Sequence, residues 1–181
     1  FGKGIYGAVA KILNVPADYE LAIETALGNT YQDIVTEDES DAKQAIDYLK
    51  RMKLGRATFL PLSAVNRKMF ERDTVTKLQL TNGFIGVAAE LVTYEPKFEI
   101  IAYSLLGKIA VFEDIDTAIE ASKRFKYSFM CVTLDGDVIR TSGAITGGSS
   151  EKIRRSGTLT RTREIPSLEK ELSSLKKDAE K

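Results

Sequence analysis

Histidine is absent from this 181-residue chain. Its absence removes the commonest general base, every Ser-His or Cys-His nucleophile pair and most zinc sites. Cysteine occurs once, at Cys131. Neither a disulfide framework within one chain nor a C-x-x-C metal knuckle can be built, and a cytoplasmic address is the default expectation. Cys131 lies in the apolar run YSFMCVTL, where it reads as a small core hydrophobe; a nucleophile would need an activating base. Net charge is missing too, because 26 basic and 26 acidic side chains cancel. No global field draws such a chain to nucleic acid or membrane, so either partner must be met by a local patch. No apolar run approaches the length of a membrane span. The chain opens at Phe1 without a charged-then-apolar leader and closes in mid-helix at Lys181, which reads as a piece of something longer.

What is present is an ordered alternation of elements. PADYELAIETALG opens on Pro16, carries Leu21, Ile23, Ala26 and Leu27 at helical spacing, and closes on Gly28. YQDIVTE reads as a strand. From Ser40, the residues Ala42, Ala45, Ile46, Leu49 and Met52 recur at helical spacing until Gly55, and RATFLPL follows as a strand. The same order returns in EPKFEIIAYSLLG, KIAVFED, a helix from about Asp116 to Phe125, and YSFMCVTL. Aligned, DYELAIETALG and KFEIIAYSLLG share Glu, Leu and Gly, and the second copy starts 79 residues on. An internal duplication explains both the identities and the matching order. The expected fold class is α/β (α+β): two related α/β halves over about 1–75 and 76–150, with helices covering sheets.

The first glycines pose a question of chemistry. GKGIYGAV matches G-x-G-x-x-G-x-V through Gly2, Gly4, Gly7 and Val9, the spacing of a loop lying over nucleotide phosphates. A kinase-type loop also needs a histidine-containing catalytic loop and D-F-G, and neither occurs. A Rossmann loop needs a strand ahead of the glycines, yet only Phe1 precedes them, although Glu24 stands near the right distance for the ribose acid. The Walker pattern fails at LLGKIA, where no Ser or Thr follows Lys108. Gly4 and Gly7 are better explained as positions where the chain turns and packs closely.

The most informative stretch is TLDGDVIRTSGAITGGSS. Asp135-Gly136 predicts a two-residue type I′ hairpin between two apolar runs. Gly143, Gly147 and Gly148 then follow in the spacing G-x6-G-x3-G-G. Glycine allows backbones to approach or pair as strands, and the alternation of Gly143, Ile145 and Gly147 has the pattern of a strand edge.

This glycine signature after a TLDGD hairpin resembles that of the hinge domain of SMC proteins (structural maintenance of chromosomes), of the bacterial or archaeal type. GIYGAVAKIL, YELAIETALG, QDIVTED, GRATFLPL and LLGKIAVFEDIDTA extend the likeness in order over nearly all of 1–150. The resemblance implies a homodimerising hinge, closed through two interfaces, that joins two coiled-coil arms. It places Gly136, Gly143, Gly147 and Gly148 at the dimer contacts, and an unpaired glycine-lined edge would otherwise be an aggregation hazard. It also implies no catalysis and no cofactor in this domain, with ATP hydrolysis confined to head domains that this chain does not contain. A nucleoid-associated, cytoplasmic protein is the corresponding location.

Beyond residue 150 the resemblance divides the chain into a basic junction, 151–164, and the start of a coiled-coil arm, 165–181. Ile165, Leu168, Leu172, Leu175 and Ala179 step in the a/d pattern of a coiled coil, which a surface helix also shows. The junction carries Lys152, Arg154, Arg155, Arg161 and Arg163, and Lys123, Arg124 and Lys126 form a second basic cluster. Hinges of this family are DNA-binding, and such cations make sequence-independent, salt-sensitive phosphate contacts. Phe125 and Tyr127 interleave with the second cluster and could stack on unpaired bases or pack in the core. Two other readings remain open: a monomeric nucleic-acid-binding module, and a small nucleotide-binding enzyme that uses GKGIYG.

Overall fold

The computed structural model describes residues 2–148 and 165. Six strands and four helices form two copies of one unit, and two further strands and two helices are added to them. In the first half, β1 (Ile5–Ala8) leads into the short α1 (Val9–Ile12), then a 3-10 turn at Ala17–Tyr19, α2 (Glu20–Leu27), β2 (Ile34–Thr36), α3 (Glu39–Met52) and β3 (Phe59–Pro61). Next comes α4 (Arg72–Gln79), and the second half repeats the order with β4 (Phe84–Val87), a 3-10 turn at Pro96–Phe98, α5 (Glu99–Leu106), β5 (Ile109–Phe112), α6 (Ile115–Arg124) and β6 (Met130–Thr133). Two short strands, β7 (Val138–Ile139) and β8 (Ile145–Thr146), extend the second sheet.

Both sheets follow one plan. In the order β1-β2-β3, β1 is antiparallel to β2 and β2 parallel to β3. The second sheet runs β4-β5-β6-β7-β8, with β4 antiparallel to β5, β5 parallel to β6, and the last two strands antiparallel. Even an irregularity recurs, since the register shifts between Ile5 and Gly7 and again between Phe84 and Gly86. The duplication read from the sequence is therefore a duplication of topology. All four residues of β5 are buried, as suits a strand with neighbours on both sides and helices over its faces.

The helices begin and end for the same local reasons in each half. The Asp38 carboxylate caps α3 by accepting the Asp41 N–H at 2.9 Å, and Asp114 caps α6 through the Thr117 N–H at 2.8 Å. The bonds from the Thr117 N–H and hydroxyl hold the Asp114 carboxyl below its ordinary range. Acids fill the first turn of both helices and Lys or Arg the last, matching the helix dipole.

The halves meet around a pseudo-two-fold axis. Asn14 and Thr93 occupy equivalent positions of the repeat and exchange backbone hydrogen bonds, Asn14 N–H to Thr93 C=O at 2.8 Å and Thr93 N–H to Asn14 C=O at 2.9 Å. Reciprocal bonding between equivalent residues requires a two-fold relation. Helices α2 and α5, also equivalent, pack together beside it. Their central residues exchange size: Ala22-Ile23 in one stands where Ile101-Ala102 stands in the other, all four fully buried. Combined volume is kept while the two faces become unlike, so each half is matched to the other. Lys97 strengthens the same seam by lying 4.4 Å from the centre of the Tyr6 ring, while Phe98 meets that ring edge-on at 5.3 Å.

A second core lies outside this seam, beneath α6. It holds Leu78 of α4, Phe112, Phe129, Cys131 and Ile139, with Phe70 and Phe125 closing on Phe129 at 4.9 and 5.2 Å. Cys131 belongs to it as a buried hydrophobe, and burial pushes its thiol up in pKa. Helix α4 runs across position 75 and gives Leu78 to the core of the second half.

Leu78 is fully buried, so Leu78→Ala should destabilise the fold by about 3 kcal/mol through the cavity it leaves. Thermal unfolding followed by circular dichroism measures the loss. Gly4 offers a second test, because a Cβ there would collide with the Asp41 carboxylate. Gly4→Ala should lower the melting temperature, and Asp41→Ala in the same chain should recover most of the loss.

Candidate functional site

The glycine signature builds two successive hairpins of one geometry. Gly136 N–H bonds Thr133 C=O at 3.0 Å and Thr133 N–H bonds Asp137 C=O at 3.0 Å, leaving the loop Leu134-Asp135-Gly136. Gly143 N–H bonds Arg140 C=O at 2.9 Å and Arg140 N–H bonds Ala144 C=O at 2.9 Å, leaving Thr141-Ser142-Gly143. Each loop has three residues, and its glycine takes a φ of 86°. The expected type I′ turn at Asp135-Gly136 is thus corrected: only Gly136 of the pair is left-handed, as in a type I turn closed by a glycine bulge. The spacing of Gly136 and Gly143 is the length of one such hairpin.

The four glycines have different surroundings. A Cβ on Gly136 would touch Leu21 Cγ at 3.0 Å and Thr25 Oγ1 at 3.2 Å, so the first turn packs on α2 of the other half. Gly143 is exposed at the tip of the second hairpin with open space around it. A Cβ on Gly147 would have to displace the Asp137 carboxylate that stands over it, and Gly148 follows, exposed, at a φ of 140°. Between them β8 forms the outer edge of the five-stranded sheet, with Ile145 exposed. The sequence pattern of a strand edge coincides with this position.

A complementary edge lies in the first half. Strand β3 ends the three-stranded sheet, whereas its counterpart β6 is covered by β7. The side chains above β3 register the difference. Counting from the equivalent caps Asp38 and Asp114, Ile46 of α3 corresponds to Ser122 of α6, yet Ile46 is 37% exposed and Ser122 only 1%. Met52 and Leu54, at the end of the same helix, are more than half exposed. An edge without its neighbour and exposed apolar side chains thus belong to one packed pair of elements, β3 and α3.

Two groups of described cations stand at equivalent positions of the repeat. Lys123, Arg124 and Lys126 are exposed at the C-terminus of α6, as the sequence places them together. The same spacing recurs as Lys50-Arg51-x-Lys53, exposed with Arg56 at the C-terminus of α3, a group not singled out from the sequence. Its signal was the absence of any acid from Tyr48 to Phe70. Lys53 and Lys126 both adopt left-handed φ values, 53° and 54°, where their helices stop. Phe125 and Tyr127 are partly buried and pack against the second core. Lys152, Arg154, Arg155, Arg161 and Arg163 lie outside the described residues, as does the a/d stripe except Ile165, which is helical and exposed.

The first glycine run does not cradle an anion in this geometry. Gly4 packs on the Asp41 carboxylate, Tyr6 donates its hydroxyl to the Glu37 carboxylate, and Gly7 belongs to β1. The bond to Glu37 pushes the Tyr6 hydroxyl up in pKa. Two carboxylates beside the glycines oppose a phosphate there. Among the described residues, no group of three or more His, Cys, Asp or Glu side chains could hold a metal ion.

Residues 2–122 match the family model described as the SMC proteins flexible hinge domain. The chromosome partition protein Smc of Bacillus subtilis is 41% identical over 173 residues, covering 95% of this chain and 14% of that protein. The chain thus spans about a seventh of such relatives. Among solved structures, an asymmetric dimer of the Geobacillus stearothermophilus SMC hinge domain matches with a TM-score of 0.83 and 39% identity over 97% of this chain and 69% of that one. The Pyrococcus furiosus SMC hinge domain matches with a TM-score of 0.68 and 35% identity, over 81% and 74% of the two chains. A duplicated α/β unit, glycine hairpins that end in an open strand, and these likenesses in sequence and fold together establish that the chain belongs to the SMC hinge family.

Proposed function

We propose that this chain joins two copies of itself by laying β8 of each copy along β3 of the other, and so links the coiled-coil arms of an SMC chromosome partition protein. One observation carries the reading: Ile46 is exposed where its repeat equivalent Ser122, on a helix that packs on both β6 and β7, is buried. A strand arriving at β3 would take the place that β7 takes at β6. Ile145, exposed on β8, supplies an apolar side chain to cover Ile46. Each copy offers one donor edge and one acceptor edge, so two junctions close a dimer and leave neither edge bare. Gly143, Gly147 and Gly148 border the donor strand. Gly136 contributes by holding the hairpin base against α2. The solved asymmetric hinge dimer of a relative 39% identical supports this reading.

The exposed cations supply a second, weaker property. Lys123, Arg124 and Lys126, with the junction residues Lys152, Arg154, Arg155, Arg161 and Arg163, would contact DNA phosphates without reading sequence. The run 165–181 would begin the outgoing arm. ATP hydrolysis belongs, on this reading, to head domains of the full-length protein, and the described residues need no cofactor for their role. A cytoplasmic, nucleoid-associated location follows from that assignment, and no helix among the described residues is long and apolar enough to cross a membrane.

Light scattering across a dilution series should give the mass of a dimer, against 20.0 kDa for one chain. Ile145→Asp should shift the midpoint of dissociation upward by roughly ten-fold or more while circular dichroism stays unchanged, since it places a charge against an apolar strip. A strict monomer at every concentration overturns the reading. Reversal of Arg154, Arg155 and Arg161 to Glu should abolish salt-sensitive retention on DNA without altering the mass. Retention equal to that of the parent chain would move the DNA contact elsewhere.

A further inference from the structure

Lys68 and Lys108 are 40 positions apart in sequence, yet both line one cleft of about 490 Å³. The cause is a close backbone approach. Gly107 has an ordinary φ of −69°, so its lack of a side chain is not needed for conformation. A Cβ at Gly107 would collide with the Lys68 carbonyl. The connection from β3 to α4 therefore lies directly on the end of α5, and the two lysines adjoin because residue 107 is a glycine. Its repeat equivalent, Gly28, has a φ of 55° and nothing within 4 Å. The first half uses this glycine to turn, and the second uses it to assemble a site.

The cleft has a floor and a rim of different chemistry. Leu105, Ile109 and Met130 form an aliphatic floor with the edge of Phe129. Lys68 and Lys108 stand exposed on the rim among the hydroxyls of Ser104, Ser128 and Thr141, and no acid lines it. Neither lysine is in an ion pair among the described residues. The equivalent cleft of the first half, about 510 Å³, is lined by Asn29, Gln32, Asp33, Arg56, Ala57 and Thr58 and lacks both the floor and the lysine pair. Burial there pushes the Asp33 carboxyl up in pKa.

We propose that the second cleft docks a partner protein through an acidic segment anchored by an aliphatic side chain. The rim asks for carboxylates, because two unpaired ammonium groups and three hydroxyls are donors with no anionic counterpart. The floor decides between a peptide and a nucleic-acid strand. An unpaired base needs an exposed aromatic face on which to stack. Phe129 is only 5% exposed and is held by Phe70 and Phe125, so the floor offers aliphatic surface instead. Leu, Ile and an adaptable Met suit the side chain of a leucine or isoleucine. Of the lining residues only Thr141 also belongs to the hairpin that leads to β8, and the cleft adds a protein-binding role to the hinge.

The test uses the whole chain and a labelled synthetic peptide carrying a Leu-Leu pair flanked by Asp and Glu, read by fluorescence anisotropy. Saturable binding is expected, and it should weaken roughly ten-fold or more in Lys68→Glu/Lys108→Glu. It should also weaken when serines replace the leucines of the peptide. The mass of the assembly should not change, which separates this test from that of the junction. Lys68→Gln/Lys108→Gln serves if charge reversal disturbs the circular dichroism. Absence of saturable binding, equal binding by the lysine variants, or equal binding of the serine peptide each overturns the proposal. So does a result in which the lysine variants lose a single-stranded oligonucleotide of the same charge and keep the peptide.

Discussion

Reciprocal pairing between Asn14 and Thr93 is the constraint on which the rest of the molecule depends. Two equivalent residues can each donate to the other only if their surroundings are turned by half a revolution. That turn sets α2 against α5 and directs the inner face of each sheet toward one shared core. Val35, Val111 and Val132 lie in that core, fully buried. The outer faces carry α3 and α6, which point their capped N-termini and basic C-termini in symmetry-related directions.

Functional surfaces arise where the symmetry fails. The second half has two extra strands and the first has none, so one sheet gains a projecting strand and the other keeps a bare edge. The same inequality leaves Ile46, Met52 and Leu54 exposed in one half while the outer core of the other is closed by Leu78 and Phe129. A chain with two identical halves would have had either no free strand or no free place for one. Divergence of a repeat has produced both on a single molecule, each at the last strand of its own sheet. The glycine at the end of α2 and α5 diverged in a parallel way, into a turn at Gly28 and a packing contact at Gly107.

Much of this was legible in the sequence because it depends on local spacing. The helices over Glu20–Leu27 and Glu39–Met52, the strands that follow them and their repetition were read from apolar periodicity and terminal glycines. The edge character of β8 was visible in the alternation around Ile145. The first hairpin was placed correctly and its turn type was not, because Asp-Gly suits both geometries and the choice depends on the register that Val138 takes opposite Val132. The short helix α4 was not read at all, since only Leu78 among its residues is fully buried and one apolar anchor gives no period. The basic group at the end of α3 was open to the same reading as Lys123-Arg124-x-Lys126, because Lys50-Arg51-x-Lys53 repeats its spacing, whereas the cleft between Lys68 and Lys108 could not be found from spacing. The cleft is a product of tertiary approach, through a missing methyl group at Gly107.

The exchange of small and large residues between α2 and α5 has a consequence for how the chain is held together. A first half fits any second half, whether from its own chain or from a neighbour, because Ala22-Ile23 and Ile101-Ala102 are matched to each other wherever they meet. What selects the partner is tethering. The connection between Pro61 and Phe84, itself packed on the second half through Leu78 of α4, keeps the two halves at a high effective concentration. Bulk concentration does not enter that equilibrium, so the union of the halves is a property of the covalent chain. Any union of whole chains is governed by mass action. The molecule thus separates an internal association that is insensitive to its own abundance from external ones that respond to it.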